Sequence, residues 1–152
     1  MNITVAFHGI QRLCMEAAPL IYYVEENPVY SAKFDAILTV VESADIVVIS
    51  SVITLTEVLT QPLKLRDLRL VTEYRDILLH NGQFQLLPVT QAIAEKAAEL
   101  RARYNLRTPD ALHVATALES DCDAFLTNDM GIKRVTEITV LVLDELELDT
   151  RT

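Results

Sequence analysis

Four acids stand where a carboxylate can do chemistry and is not merely solvated. Glu16 follows the apolar run Arg12-Leu13-Cys14-Met15, and Asp129 follows Ala124-Phe125-Leu126 by way of Thr127-Asn128. Glu57 sits one to two turns into the segment after Ile46-Val47-Val48-Ile49, and Asp110 opens a helix behind Thr108-Pro109. Met15, Val58, Leu59, Ala111, Leu112, Phe125 and Leu126 give each an apolar neighbourhood, so these acids are less readily read as merely solvated than Asp45 or Glu25. Carboxylates that converge cannot all ionise unless a cation neutralises them. Hard divalent cations choose oxygen, and Mg²⁺ or Mn²⁺ is usually held by a few carboxylates together with water and substrate phosphate. Such a set serves phosphodiester hydrolysis, because the ion polarises the phosphoryl oxygen and lowers the pKa of an attacking water.

The elements that must position these acids alternate along the chain. A strand is predicted over 12–15 and a helix over 17–25, with Pro19 tolerated in its first turn. Ser31 is read as the cap of a helix whose Phe34, Ile37, Leu38 and Val41 recur at helical spacing. Ile46–Ile49 is a β-branched run without polar alternation, the mark of a strand covered on both faces. Ser50 or Ser51 is expected to cap the next helix, and Pro62 to start another that stops at Asn81-Gly82. Phe84–Val89 reads as the third strand, and Thr90 caps a helix over 91–104. Thr108-Pro109-Asp110 reads as cap, first-turn proline and first-turn acid of a helix ending near Ser120. Strands at 124–126 and 139–143 complete the pattern. This is an α/β chain with helical crossovers, hence an open parallel sheet with helices on both faces. A site in such a sheet lies beyond the carboxyl ends of the strands, where strand order reverses.

The bulk properties narrow the function classes. At 152 residues, 51% hydrophobic and 23% charged, the chain reads as one folded domain, with 1–11 as an N-terminal extension and 144–152 as an acidic tail. Cys14 and Cys122 are too few and too far apart for a disulfide framework or a zinc site, which fits a reduced, cytoplasmic protein. The longest uncharged apolar stretch, Ile46–Thr56, is far short of the roughly 20 residues a bilayer requires, and no basic region precedes an apolar block at the N-terminus. Gly9, Gly82 and Gly131 leave no room for a Walker loop or a dinucleotide fingerprint. Thirteen Lys and Arg against 22 Asp and Glu give a formal charge of −9, which argues against an avid, general nucleic-acid binder. The basic residues nevertheless gather near two of the acids: Arg101, Arg103 and Arg107 before Asp110, Lys133 and Arg134 after Asp129. They fit either the rim of an acidic pocket that holds a phosphate backbone or solvated faces balancing Glu95 and Glu99. His113 shares the helix face of Asp110, a position more often filled by a packed or hydrogen-bonded histidine than by a site residue. Tyr22 and Tyr23 read as core and interface.

At this point the residues carry a resemblance. Glu16-Ala17-Ala18-Pro19-Leu20-Ile21-Tyr22-Tyr23-Val24-Glu25 resembles the opening of PIN-domain proteins. Ser50–Leu59, Thr108–Ala117 and Phe125–Asp129 are similar to the family's next three motifs, with Glu57, Asp110 and Asp129 at their acids. The resemblance spans nearly the whole chain in the right order. It implies a three-layer α/β/α fold around a mostly parallel, twisted sheet of four to five strands, and a Mg²⁺- or Mn²⁺-dependent endoribonuclease like the toxins of VapBC pairs. By the same token it implies Glu16, Glu57, Asp110 and Asp129 as metal-binding and catalytic residues, an RNA substrate, an antitoxin-like protein partner and a homodimer. Thr127, Asn128, Arg107 and Lys133 are the candidate substrate contacts. Where the family has Asp-Thr, this chain has Glu16-Ala17: the carboxylate moves by more than an ångström, and a hydroxyl able to orient it is gone. Weakened Mg²⁺ binding with Mn²⁺ preferred is the expectation. A catalytically impaired PIN-fold module that binds protein or RNA is the alternative reading. A receiver-like phosphate acceptor is disfavoured, since paired acids and a final-strand lysine are missing.

Overall fold

The strands assemble around the first one. In the computed structural model, which describes residues 1–149, β1 (Arg12–Met15) is flanked by β2 (Val47–Ser51) and β4 (Ala124–Thr127). β3 (Phe84–Leu87) and β5 (Thr139–Val142) form the edges, giving the order β3-β2-β1-β4-β5. The expected four to five mostly parallel strands are thus five, all parallel. Residues 150–152, the end of the expected acidic tail, lie outside the described residues.

Both faces of this sheet are apolar, as the unbroken Val/Ile runs required. Leu13, Met15, Val48, Ala124 and Leu126 point to one side and pack with α2 (Ala17–Val24), α3 (Ser31–Ser43), α4 (Ile53–Lys64) and α5 (Leu68–His80), through Leu20, Phe34, Ile37, Val58, Tyr74 and Leu78. Ile3 of α1 (Ile3–Ala6) joins the same core. Cys14 and Phe125 point the other way, onto α6 (Gln91–Tyr104) and α7 (Thr108–Glu119). The chain builds outward from β1 to β3 and then returns to β4 on the far side of β1. Right-handed crossovers that reverse direction exchange faces, so the helices divide into two layers and the order reverses between β1 and β4.

Several local readings shift. Pro62 does not start a helix: it is buried within α4, and the break comes at Arg66, whose φ of 55° is left-handed. Asp67 then caps α5, its carboxylate accepting from Leu70 N–H at 3.2 Å. Ser50 and Ser51 are buried in β2, and Val52 takes the N-cap position of α4, although Ser51 Oγ still accepts from Ile53 N–H at 3.3 Å. α3 begins at Ser31 with Tyr30 as its cap, and α7 begins at Thr108 with Arg107 as its cap, neither cap giving a side-chain bond.

Candidate active site

The Met15–Leu126 register brings the residues after β1 and β4 side by side at the reversal point. Glu16 is nearly buried at 9% exposure. Its Oε1 accepts from Thr127 Oγ1 at 2.5 Å and from Asn128 N–H at 3.3 Å. Burial pushes the Glu16 carboxyl above the ordinary glutamate range, and these two donors pull it partly back. The hydroxyl that Ala17 lacks is therefore supplied across the sheet by Thr127, which in turn accepts from Asp129 N–H at 2.9 Å.

The helices bring the other acids. Asp110, in the first turn of α7, is clamped by the exposed Arg107: Nε to Oδ2 at 3.0 Å and a second guanidinium nitrogen to Oδ1 at 3.4 Å. That carboxylate holds Arg107 more firmly in its charged form, and the charges of Asp129 and Glu16 add to the effect. Glu57, on α4, meets His113 of α7, with Oε1 and Nε2 2.5 Å apart. The exposed Asp129 accepts from Gly131 N–H at 2.8 Å, capping the 3₁₀ turn Met130–Arg134. A Cβ at Gly131 would stand 3.0 Å from Asp129 Oδ1, so a larger residue there would have to displace that carboxylate slightly.

All four acids line one cleft of about 240 Å³, together with Arg107, Asn128 and Tyr22. Tyr22 also stacks on Tyr30, ring centres 4.4 Å apart. Thr127 is fully buried and serves Glu16. Lys133 lines a different depression and pairs with Glu145 at 2.6 Å. Arg103 pairs with Glu137 and Arg101 bonds the Leu106 carbonyl, so Arg107 is the member of that basic group lining the cleft. The contact missed in the sequence is His113 with Glu57. Its i+3 spacing from Asp110 was the available signal, but the partner lies 56 residues away.

The donors suit a hard cation: they are carboxylates, with no sulfur among them. They do not form a closed cage, since among the described residues no three His, Cys, Asp or Glu side chains converge closely enough to hold an ion. An open site of one or two carboxylates completed by water and phosphate is the usual Mg²⁺ arrangement, and this cleft fits it. Among the described residues no helix is long and apolar enough to cross a membrane.

Residues 16–138 match the PIN domain family. The chain belongs to the PIN-domain family. Its fold is that of solved VapBC structures. VapBC2 from Rickettsia felis, bound to a DNA fragment from the promoter, superposes with a TM-score of 0.70 at 15% identity, covering 86% of this chain and 98% of that one. DNA-bound VapBC from Salmonella typhimurium gives 0.69 at 14%, over 88% and 99%. VapC20 from Mycobacterium tuberculosis, a toxin that cleaves the sarcin-ricin loop, gives 0.60 at 14%, over 74% and 86%. No curated protein matches this PIN domain.

Proposed function

We propose that this PIN domain is a divalent-metal-dependent ribonuclease and the toxin of a toxin–antitoxin pair, with Mg²⁺ or Mn²⁺ held in the open cleft by carboxylates of the set Glu16, Glu57, Asp110 and Asp129, completed by water and phosphate. The observation that carries the reading is the meeting of four acids from four distant segments on one cleft at the sheet's reversal point. The ion, when bound, polarises a phosphoryl oxygen and makes water a stronger nucleophile. The chain itself binds and orients. Thr127 and the Asn128 N–H fix the Glu16 carboxylate, and Arg107 and Asn128 at the rim meet the phosphate backbone. A protein antitoxin suits the groove of about 410 Å³ between α2, α3 and α5, where Tyr23, Val24 and Ile77 lie among Glu26, Asp35 and Glu73. Apolar floor and acidic rim complement a basic amphipathic segment. A homodimer is supported by Leu63, Leu65 and Leu68, which stand exposed at the turn between α4 and α5.

Titration calorimetry of Mg²⁺ and then Mn²⁺ into the wild type, Glu16→Asp and Asp110→Asn, beside cleavage of single-stranded RNA, tests this. Wild type takes up Mn²⁺, Glu16→Asp tightens it or restores Mg²⁺, and Asp110→Asn abolishes both binding and cleavage with thermal stability unchanged or slightly raised. The bidentate Arg107–Asp110 pair favours the second reading, an impaired module that binds a protein or RNA, because it already neutralises one ligand internally. That reading stands if the wild type takes up neither ion.

A further inference from the structure

Among the described residues, two buried side-chain polar atoms have no hydrogen-bond partner: Thr54 Oγ1 and His113 Nδ1. Both flank Glu57. Thr54 is one turn before it on α4, and His113 bonds its carboxylate from α7. Unsatisfied buried polar groups are rare and costly, so their concentration around one acid calls for a reason.

His113 is 1% exposed and lies on a helix whose other buried residues are Asp110, Ala111, Val114, Ala115, Thr116 and Ala117. A histidine kept for packing alone would have both nitrogens paired. The Glu57 carboxylate accepts and so requires the proton on Nε2. Nδ1 has no partner of its own. The ring's one bond consumes Oε1 of Glu57 and leaves Oε2, which no donor reaches among the described residues.

We propose that His113 is the positioning residue of the cleft: its Nε2–H holds Glu57 Oε1 so that Oε2 is the oxygen offered to a bound cation. The inference rests on the metal-dependent reading above. Histidine acts here one step removed from the ion, in a role whose loss typically weakens metal affinity about 10–100-fold.

Three variants test it, with Mn²⁺ as the calorimetric probe and thermal unfolding measured in parallel. Gln extends its amide nitrogen to the place of Nε2, whereas Asn reaches only to the place of Nδ1. His113→Gln keeps Mn²⁺ affinity close to wild type. His113→Asn and His113→Leu lose about 10–100-fold, and Leu does so without loss of thermal stability. Unchanged affinity in Asn and in Leu, or a Gln variant as weak as Asn, overturns the proposal; the Gln–Asn contrast decides it even if Leu fails to fold. Absence of Mn²⁺ binding by the wild type is a different result, visible before any variant is made, and it overturns the ribonuclease reading together with this one.

Discussion

Glu16 and Asp110 are equally buried, each 9% exposed, yet the two sides of the cleft hold them in opposite ways. On the strand side Glu16 is met by neutral donors, a threonine hydroxyl and a backbone N–H, both fixed in the parallel register of β1 and β4. On the helix side Asp110 is met by a full positive charge on a side chain that is 79% exposed. Neutral donors satisfy hydrogen bonds without cancelling the charge, which is why burial still lifts the Glu16 carboxyl. A guanidinium cancels the charge but is screened by solvent and easily exchanged. The strand side is thus wired permanently, and the helix side is open to replacement of one cation by another.

Removing the wire should produce the largest effect. Thr127→Val deprives a buried carboxylate of its shortest bond and costs ~1.5–3 kcal/mol at neutral pH. The cost shrinks in acid, where Glu16 is protonated; urea unfolding at both pH values reads this, and a cost independent of pH breaks the comparison. Removing the charge acts in the other direction. Because the folded carboxyl titrates above the unfolded one, the folded chain binds more protons between the ordinary glutamate range and the raised value. Wild-type stability therefore falls as pH rises through that window. Glu16→Gln lacks this loss and should be more stable at neutral pH, the two proteins converging in acid. A Gln variant less stable than wild type at neutral pH contradicts the neutral-donor account. The smallest change in folding comes from Arg107→Gln, where unfolding curves should overlap with wild type. Its signature is instead a tighter Mn²⁺ isotherm at low salt, fading at high salt as the screened rival cation ceases to matter. Weaker Mn²⁺ binding in that variant would mean that Arg107 supports the ion site and does not compete with it.

Much of the frame was legible in the residues. β1 over 12–15 and α6 over 91–104 have the predicted bounds. Local signals settle both: an apolar run stopped by an acid, and Thr90 accepting from Ile93 N–H at 3.2 Å. The α4–α5 boundary was not legible, because the chain turns at Arg66 in a left-handed conformation without glycine or asparagine to announce it. The four acids could be nominated from their strand-end and helix-start positions. Their partners could not, since Thr127 reaches Glu16 only through the pairing of β1 with β4, and His113 reaches Glu57 only through the packing of α7 near α4. A one-dimensional pattern fixes which face a residue occupies and says little about what stands opposite it.

The position of β1 between β2 and β4 also orders events in time. One edge of β1 pairs with β2 soon after it is made, but the other waits for β4, and Thr127 is separated from Glu16 by 111 positions. Closing so long a loop is entropically slow compared with local helix formation. During synthesis the central strand therefore keeps one edge of backbone N–H and C=O groups unpaired until nearly the whole fold has emerged. A growing chain carries three of the four acids and still has no cleft. The site appears late, when β4 docks against β1, and only β5 then remains to be added to the sheet.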